Sequence, residues 1–200
     1  MLSTSENNNM KMEPATLSSP TKHPLRNQWT LWYLDNDRNK SWEEKQNEVS
    51  TFDTVEDFWN LYNMIKYASE LQPGNDYSLF KNNIRPMWED AANANGGRWI
   101  LSMTQQQLGN LDDLWLNVML CLIGECLEYS DDINGAVVSI RPRTVRISIW
   151  TADSNNQDAI VGIGLILKQY LQLPSDIEMY YGKHEDTANK VTNKSLSLHV

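Results

Sequence analysis

The sequence predicts an α+β fold in which helices cover one face of an antiparallel sheet. Segments with helical periodicity alternate irregularly with short segments rich in β-branched and aromatic residues. Short polar links between neighbouring apolar segments favour hairpins over parallel crossovers. The chain has 200 residues, of which 40% are hydrophobic, so a single domain can bury a substantial core.

The first predicted elements follow a polar N-terminal segment. Residues 1–22 are rich in Ser, Asn, Thr and Pro and are expected to form a disordered tail in front of one domain over residues 23–200. Residues 25–34 predict a strand, a polar loop over 35–48 carries Trp42, and a short strand is expected before Asp53. Asp53, with Glu56 three residues later, predicts the capped start of the first helix. The apolar stripe of this helix consists of Val55, Phe58, Trp59, Tyr62 and Ile65.

The later elements are separated by turn residues. Pro73 and Gly74 mark a turn, which is followed by a strand over 76–80, a loop over 82–95 and a strand over 97–103. The second helix, 111–127, is apolar on nearly all sides and must therefore be covered on two of them. Residues 135–140 and 145–150 predict a hairpin, a third helix is predicted over 157–171, and 177–181 predict a last strand.

Charge and cysteine content narrow the function. The formal net charge is −9, which argues against non-specific binding of long nucleic acids, because that binding needs a basic surface. Cys121 and Cys126 have no nearby partners for a metal site and are expected to be reduced and buried. No apolar segment reaches the roughly 18 residues of a membrane span and no secretory signal opens the chain. We therefore expect a cytoplasmic protein with no membrane partner.

Catalytic signatures are missing from the sequence. The three histidines, at positions 23, 184 and 199, lie near the ends of the predicted domain. We find no phosphate-binding glycine loop, no nucleophile elbow and no paired metal-ligand motif. The sequence therefore predicts a protein that is not an enzyme and that needs no metal or cofactor.

Three arginines cluster around the predicted hairpin. Arg141, Arg143 and Arg146 occur in a stretch without any acidic residue between Asp132 and Asp153. Such guanidinium groups need an anion or a distant carboxylate, and their geometry suits phosphate oxygens. A solvated basic turn is the alternative interpretation.

Two tryptophans lie in polar loops, outside any apolar stripe. Trp42 precedes Glu43, and Trp88 precedes Glu89. Either indole could simply anchor its loop. A tryptophan beside a carboxylate can also stack on a flat base while the carboxylate accepts hydrogen bonds from the base edge. Guanine offers two such donors, and methylation at N7 makes its ring cationic, which adds cation–π attraction to an indole.

With these residues the chain resembles the eukaryotic translation initiation factor 4E family of cap-binding proteins. The matching segments are His-Pro-Leu at 23–25, Trp-Thr-Leu-Trp-Tyr at 29–33, Phe-Asp-Thr-Val-Glu-Asp-Phe-Trp at 52–59, Asp-Tyr-Ser-Leu-Phe-Lys at 76–81, Pro-Met-Trp-Glu-Asp at 86–90, Gly-Gly-Arg-Trp at 96–99, Leu-Cys-Leu-Ile-Gly-Glu at 120–125 and Ile-Ser-Ile-Trp at 147–150. The resemblance implies a curved eight-stranded antiparallel sheet with three helices packed on its convex face.

The resemblance also implies a cap-binding site. Trp42 and Trp88 would sandwich the methylated guanine, Glu89 would hold its Watson–Crick edge, and Trp150 would lie beside the N7-methyl group. The triphosphate would contact the basic residues Arg98, Arg141, Arg143 and Arg146.

A second implied surface binds partner helices on the back of the sheet. Its positions are His23, Pro24, Val55, Trp59, Leu116, Leu120 and Ile123. The expected partners are the scaffold initiation factor 4G and binding-protein repressors that carry a Tyr-x4-Leu-hydrophobic motif. The family usually has an acidic residue next to Leu116, where this chain has Asn117, so we expect partner binding to be weakened by roughly 0.5–1 kcal/mol.

The implied function is translation initiation by a monomer that binds capped mRNA and recruits the scaffold. Three alternatives stay open at this point. The protein could be a cap-binding translational repressor or a tissue-specialised paralogue with weakened scaffold binding, which Asn117 favours. It could be a cap-processing enzyme, although no array of metal-binding carboxylates is found, or a protein-binding module with a silent cap site.

Overall fold

A computed structural model describes residues 21–37, 39–125, 127–173, 177–185 and 198–199. Its strands are β1 (Pro24–Leu34), β2 (Gln46–Thr54), β3 (Asp76–Lys81), β4 (Gly97–Thr104), β5 (Ile133–Ile140), β6 (Thr144–Thr151), β7 (Glu178–Lys183) and β8 (Leu198–His199). Its α-helices are α1 (Trp42–Lys45), α2 (Val55–Met64), α3 (Leu111–Ile123) and α4 (Gln157–Tyr170). Short 3-10 turns occur at Ala68–Glu70, Gln105–Asn110 and Ser130–Asp132.

All strands belong to one sheet, in the order β2-β1-β3-β5-β6-β4-β7-β8, and every pairing is antiparallel. The prediction of an α+β fold with an antiparallel sheet is confirmed. The expected counts of strands and helices are not matched. Within the described ranges, seven strands have six residues or more and β8 adds only two, while α1 is a fourth, single-turn helix.

The two faces of the sheet differ in what covers them. On one face, strand residues such as Trp29, Leu79 and Ile147 join the buried side chains of α2, α3 and α4 in a single large core. On the other face, Phe80, Val137 and Trp150 form a small separate cluster. Because successive strand residues point to opposite faces, α2, α3 and α4 lie on one side of the sheet and the cluster of Phe80, Val137 and Trp150 lies on the other, which is called the helix-free face because none of these three helices packs on it.

The first two helix boundaries differ from the sequence prediction. The loop predicted over 35–48 contains α1, because the Ser41 hydroxyl accepts from the Glu44 amide and the Glu44 carboxylate accepts from the Ser41 amide. Asp53 is not the cap of α2. Strand β2 continues through Thr54, and the Thr54 hydroxyl accepts from the amide of Asp57 at 3.2 Å.

The second predicted helix was too long. Helix α3 ends at Ile123, with Gly124 as its C-cap, because Glu125 adopts a positive φ of 45° that cannot continue a helix. The helix is apolar on several sides, as predicted, and seven of its thirteen residues are buried. The predicted last strand lies slightly later than expected, as β7.

Some predictions fall outside the described residues. Residues 1–20 of the predicted tail and Cys126 are among them. Cys121 is buried, as expected. In the part of the chain that is described, no helix is long and apolar enough to cross a bilayer.

Candidate functional site

The helix-free face carries a row of residues that strand register brings together. Arg98 on β4 lies opposite Trp150 on β6, Trp150 lies opposite Gly135 on β5, and Gly135 lies opposite Phe80 on β3. The Trp150 indole is only 5% exposed and meets the Phe80 ring edge-on at 5.5 Å between centroids. Trp150 therefore forms a rigid apolar floor in the middle of this face.

Two arginines place positive charge beside this floor. The guanidinium carbon of Arg98 lies 5.8 Å from the Trp150 ring centroid. Arg146 lies four residues before Trp150 in β6 and therefore points to the same face. Burial, together with repulsion from the Arg146 charge, lowers the pKa of Arg98. Neither arginine forms an ion pair with any described residue, so the pair suits an incoming anion.

Arg141 differs from the other arginines of the cluster because it already has a carboxylate partner. Its guanidinium donates to both carboxylate oxygens of Asp76, at 2.5 and 3.1 Å. The hydrogen bonds to Asp76 raise the pKa of Arg141, whereas burial raises the pKa of Asp76 despite this partner. The distant carboxylate that the sequence left open is therefore Asp76. Arg143, in the turn between β5 and β6, is exposed.

Trp88 and Glu89 lie on a structured loop between β3 and β4. The Trp88 side chain is 42% exposed, and Glu89 is exposed as well. The Asp90 carboxylate accepts from the amides of Arg85 at 3.0 Å and Ala92 at 2.9 Å. Asp90 therefore closes the turn, while Trp88 and Glu89, the two residues before it, present an indole and a carboxylate to solvent.

Trp42 is the first residue of α1. Only its backbone belongs to the described part of the chain, so the expected pairing of its indole with that of Trp88 stays a prediction. The capping box between Ser41 and Glu44 fixes the start of this helix. That Ser-x-x-Glu pattern is visible in the sequence and could have predicted the helix.

His184 belongs to this region, although sequence reasoning did not select it. Its ring is 2% exposed and lies 4.2 Å from the Trp150 ring, centroid to centroid. Burial, reinforced by the nearby Arg98 charge, lowers the pKa of His184 to about 4. Its backbone amide donates to the Gly96 carbonyl at 3.1 Å. The pairing of β7 with β4 brings His184 here, and no local sequence pattern reports that pairing.

The expected partner surface lies on the opposite side, on α2 and α3. Val55 and Trp59 are large apolar side chains that remain 36% and 37% exposed. Leu116 and Leu120 are half-buried and pack on the core, and Asn117 is exposed between them. Ile123 differs from this expectation, because it is 5% exposed and belongs to the core.

The N-terminal segment is attached to the start of α2. The His23 carbonyl accepts from the amide of Val55 at 2.9 Å, and the His23 ring contacts the Glu56 carboxylate at 2.6 Å. Hydrogen bonds from His23 lower the pKa of Glu56 to about 2. Lys22 pairs with Asp57 at 2.6 Å. These contacts hold His23 and the adjoining, exposed Pro24 beside the α2 surface.

The described side chains do not form a candidate metal site. No group of three or more His, Cys, Asp or Glu residues in the described ranges could hold a metal ion.

Comparison with known proteins points to one family. The profile of the family described as "Eukaryotic initiation factor 4E" matches residues 24–198. The chain is 56% identical over 179 residues to eukaryotic translation initiation factor 4E1 of Drosophila melanogaster, a match that covers 90% of this chain and 69% of the relative.

Solved structures agree with this match. Caenorhabditis elegans eIF4E-3, solved with the 4E-binding protein Mextli and a cap analog, superposes with a TM-score of 0.81 at 46% identity, covering 89% of this chain and 100% of that one. Ascaris suum eIF4E-3, solved with an m2,2,7G cap, superposes with a TM-score of 0.80 at 46% identity, covering 82% and 92%.

Proposed function

Because the chain belongs to the eukaryotic initiation factor 4E family, we propose that it binds the 7-methylguanosine triphosphate cap of messenger RNA and recruits partner proteins for translation initiation. Its relatives are cap-binding proteins and not enzymes, and they were solved with cap analogs and with a 4E-binding protein. The observation that carries the proposal is the helix-free face, where a buried indole lies with two arginines that form no ion pair with any described residue. The loop with exposed Trp88 and Glu89 is hydrogen-bonded to β5 beside this indole.

The purine would be held by stacking and by its edge. Trp42 and Trp88 would sandwich the cationic ring, with stacking worth about 1–3 kcal/mol per base. Glu89 would accept hydrogen bonds from the two guanine donors, each charge-assisted bond being worth about 1.5–3 kcal/mol. Trp150, the floor of this face, would lie beside the N7-methyl group, since its indole is buried and already packs on the rings of Phe80 and His184.

The triphosphate would lie along the arginines of the same face. We assign Arg98 and Arg146 to it because they share that face and form no ion pair with any other described residue. Arg143 extends the positive charge into the turn. Arg141 would chiefly hold the turn in place through Asp76, although its guanidinium could still donate to a phosphate oxygen.

Fluorescence titration with Glu89→Ala tests this assignment. The parent should show quenched tryptophan fluorescence with 7-methylguanosine triphosphate, and the variant should bind this ligand at least about tenfold more weakly. The matched control is Glu43→Ala, which removes another exposed carboxylate, next to Trp42. If Glu89→Ala binds like the parent, or if both variants lose the same affinity, the assignment of Glu89 is wrong.

The partner surface supports recruitment through an amphipathic helix. Exposed Val55 and Trp59, with half-buried Leu116 and Leu120, form an apolar surface of the kind that binds i, i+3, i+4 anchors. The neutral Asn117 favours a second candidate, a cap-binding repressor or specialised paralogue that recruits the scaffold poorly. Binding of a scaffold peptide with the Tyr-x4-Leu-hydrophobic motif separates the two candidates, because micromolar or tighter binding supports recruitment and no binding supports the repressor.

The remaining features follow from the same proposal. We infer that residues 23–200 form the cap-binding domain, that residues 1–22 act as a tail, and that the protein works in the cytoplasm as a monomer. We also infer that the helices cover the convex side of the sheet, because a concave helix-free face would bring β-strand residues and loops together around a small ligand.

A further inference from the structure

We propose that Asn134 and Asn93 are positioning residues that hold the loop of Trp88 and Glu89 against the sheet, so that the purine site is formed before any ligand arrives. This role rests on the proposed function, since it assigns a purpose to the fixed loop. Neither asparagine would touch the ligand. Each would act through the backbone carbonyls of the loop.

Asn134 owes its orientation to a β-bulge. Strands β5 and β6 pair with Ile133 opposite Thr151 and with Gly135 opposite Trp150. Asn134 is therefore the extra residue of β5, without a partner in the ladder. Bulges commonly redirect a side chain beside a functional site. Here the bulge turns a carboxamide toward the loop, and its 4% exposure shows that the group is buried there.

The two carboxamides form a continuous connection from the sheet to the loop. Asn134 Nδ2 donates to the Ala92 carbonyl at 2.7 Å and to Asn93 Oδ1 at 3.0 Å. Asn93 Nδ2 donates to the carbonyls of Arg85 and Met87, both at 2.9 Å. Each carboxamide nitrogen thus uses both of its hydrogens. Asn93 is completely buried, so solvent does not compete for these bonds.

The acceptors of these bonds lie on both sides of the predicted binding residues. Met87 directly precedes Trp88, and Ala92 follows Glu89 by three positions. This segment lies between β3 and β4 and has no ladder or helix to satisfy its carbonyls. Backbone amides of the loop reach two of these carbonyls, that of Arg85 at 2.7 Å and that of Met87 at 3.3 Å. The two asparagines add a side-chain hydrogen bond to each of them and to the Ala92 carbonyl, which ties the turn to the sheet. Loss of either side chain should free the loop while the strands on both sides of it stay paired.

The same bulge also couples the loop to the floor of the site. Gly135, the residue after the bulge, lies opposite Trp150. A Cβ at Gly135 would come within 2.5 Å of the Phe80 ring, so the close packing of Phe80 and Trp150 depends on glycine there. The bulge and the glycine after it therefore fix both the Trp150 floor and the loop of Trp88 and Glu89 in the proposed purine site.

The test uses Asn134→Ala and Asn93→Ala, with Asn156→Ala as the matched control. Asn156 caps α4 through its side chain, which accepts from the amide of Ala159, and it makes no contact with the loop among the described hydrogen bonds. Each loop variant should bind 7-methylguanosine triphosphate about fivefold more weakly or worse, and hydrogen exchange of the amides in residues 85–95 should become about tenfold faster. Asn156→Ala should leave both quantities at the parent value.

Competition with inorganic triphosphate separates positioning from general damage. This probe reaches the arginines but not the purine site, so its inhibition constant should stay unchanged in Asn134→Ala. Parent-like cap affinity in both loop variants overturns the proposal. So does accelerated exchange spread evenly over the chain, because that pattern reports lost stability and not a freed loop.

The proposal can still be tested if the parent does not bind the cap analogue or if the alanine variants do not fold. If the parent does not bind the cap analogue, the proposed function fails, while the exchange rates of residues 85–95 still decide whether the asparagines hold the loop. If the alanine variants do not fold, the side-chain amide protons of Asn93 and Asn134 are followed in the parent by NMR. Slow exchange without ligand supports the proposal, and exchange at the rate of a solvated amide overturns it.

Discussion

Moderate acidification should destabilise the protein through His184, and His184→Phe should remove this sensitivity. The ring is 2% exposed, and its two nitrogens have no hydrogen-bond partner among the described residues. A proton on this ring would place a second positive charge beside Arg98 in a buried site. Phe keeps an aromatic ring against Trp150 and leaves no polar partner unsatisfied, so the variant should fold normally.

The magnitude follows from proton linkage. The pKa of His184 is lowered from 6.5 to about 4, so between these values the unfolded chain binds a proton that the folded chain does not. The stabilising contribution of the neutral ring is therefore complete above 6.5 and is lost as the pH falls toward 4. The full interval corresponds to about 3 kcal/mol. Between a pH of about 7.5 and about 5.5, the expected loss is about 1 kcal/mol.

Thermal unfolding of parent and variant at several pH values measures this difference. For a chain of this size, 1 kcal/mol corresponds to a shift of about 2–4 °C in the unfolding midpoint. The other titrating groups are shared, so the difference between the two proteins isolates His184. The measurements should stay above the isoelectric point of about 4.8, where solubility falls. Parallel pH profiles for the two proteins would refute the reasoning.

Other substitutions test separate parts of the site. Trp88→Ala should weaken binding of 7-methylguanosine triphosphate about tenfold or more in fluorescence titrations. Its unfolding midpoint should be unchanged because the side chain is 42% exposed, and a lower midpoint with parental affinity would contradict this role. Asp76→Asn should cost only about 1 kcal/mol in urea unfolding, because the Arg141 guanidinium that loses its carboxylate is 41% exposed and stays hydrated; a cost above about 3 kcal/mol would show that the charge is left in a buried site. Arg143→Ala should flatten the dependence of log Kd on log salt concentration by about 0.7, and an unchanged slope would exclude a phosphate contact. Asn117→Glu should tighten binding of a basic partner peptide about two- to fivefold in calorimetry, and equal affinity would show that this position does not face the peptide.

Long apolar periodicities made most of the fold predictable. The stripe of α2 and the broad apolar surface of α3 indicated helices that cover a sheet, and both were found. Short elements were harder to predict. Helix α1 has four residues and no apolar stripe, so only its Ser41–Glu44 capping box could have revealed it. Asp53 and Thr54 are both good caps, and the choice between them depends on where β2 ends.

The arginine cluster shows why side-chain partners are harder to predict than elements. Arg141 had no acidic neighbour in the sequence, and its partner Asp76 lies 65 positions away on β3. Strand β3 pairs with β5, with Asp76 opposite Ser139, and this pairing brings the carboxylate to the turn. Such a long-range contact depends on strand order, which local propensities do not specify.

His184 and Asn134 show the same limitation at the site itself. His184 looked like a residue of the chain end, but the pairing of β7 with β4 carries it to Trp150. Asn134 lies just before the strand predicted over 135–140, and nothing local indicates that β5 begins earlier with a bulge or that this side chain reaches the loop of Trp88. By contrast, the position of Trp88 and Glu89 on an exposed loop was expected from the sequence, because neither belongs to a periodic apolar stripe, whereas their role in binding stays a prediction.

A crystal structure of the protein with 7-methylguanosine triphosphate tests the central claim most directly. The purine is expected between the indoles of Trp42 and Trp88, with its N1 and N2 donors within about 3 Å of the Glu89 carboxylate. A purine bound anywhere else, or a Trp88 indole that does not contact it, would contradict the proposed mode of cap recognition.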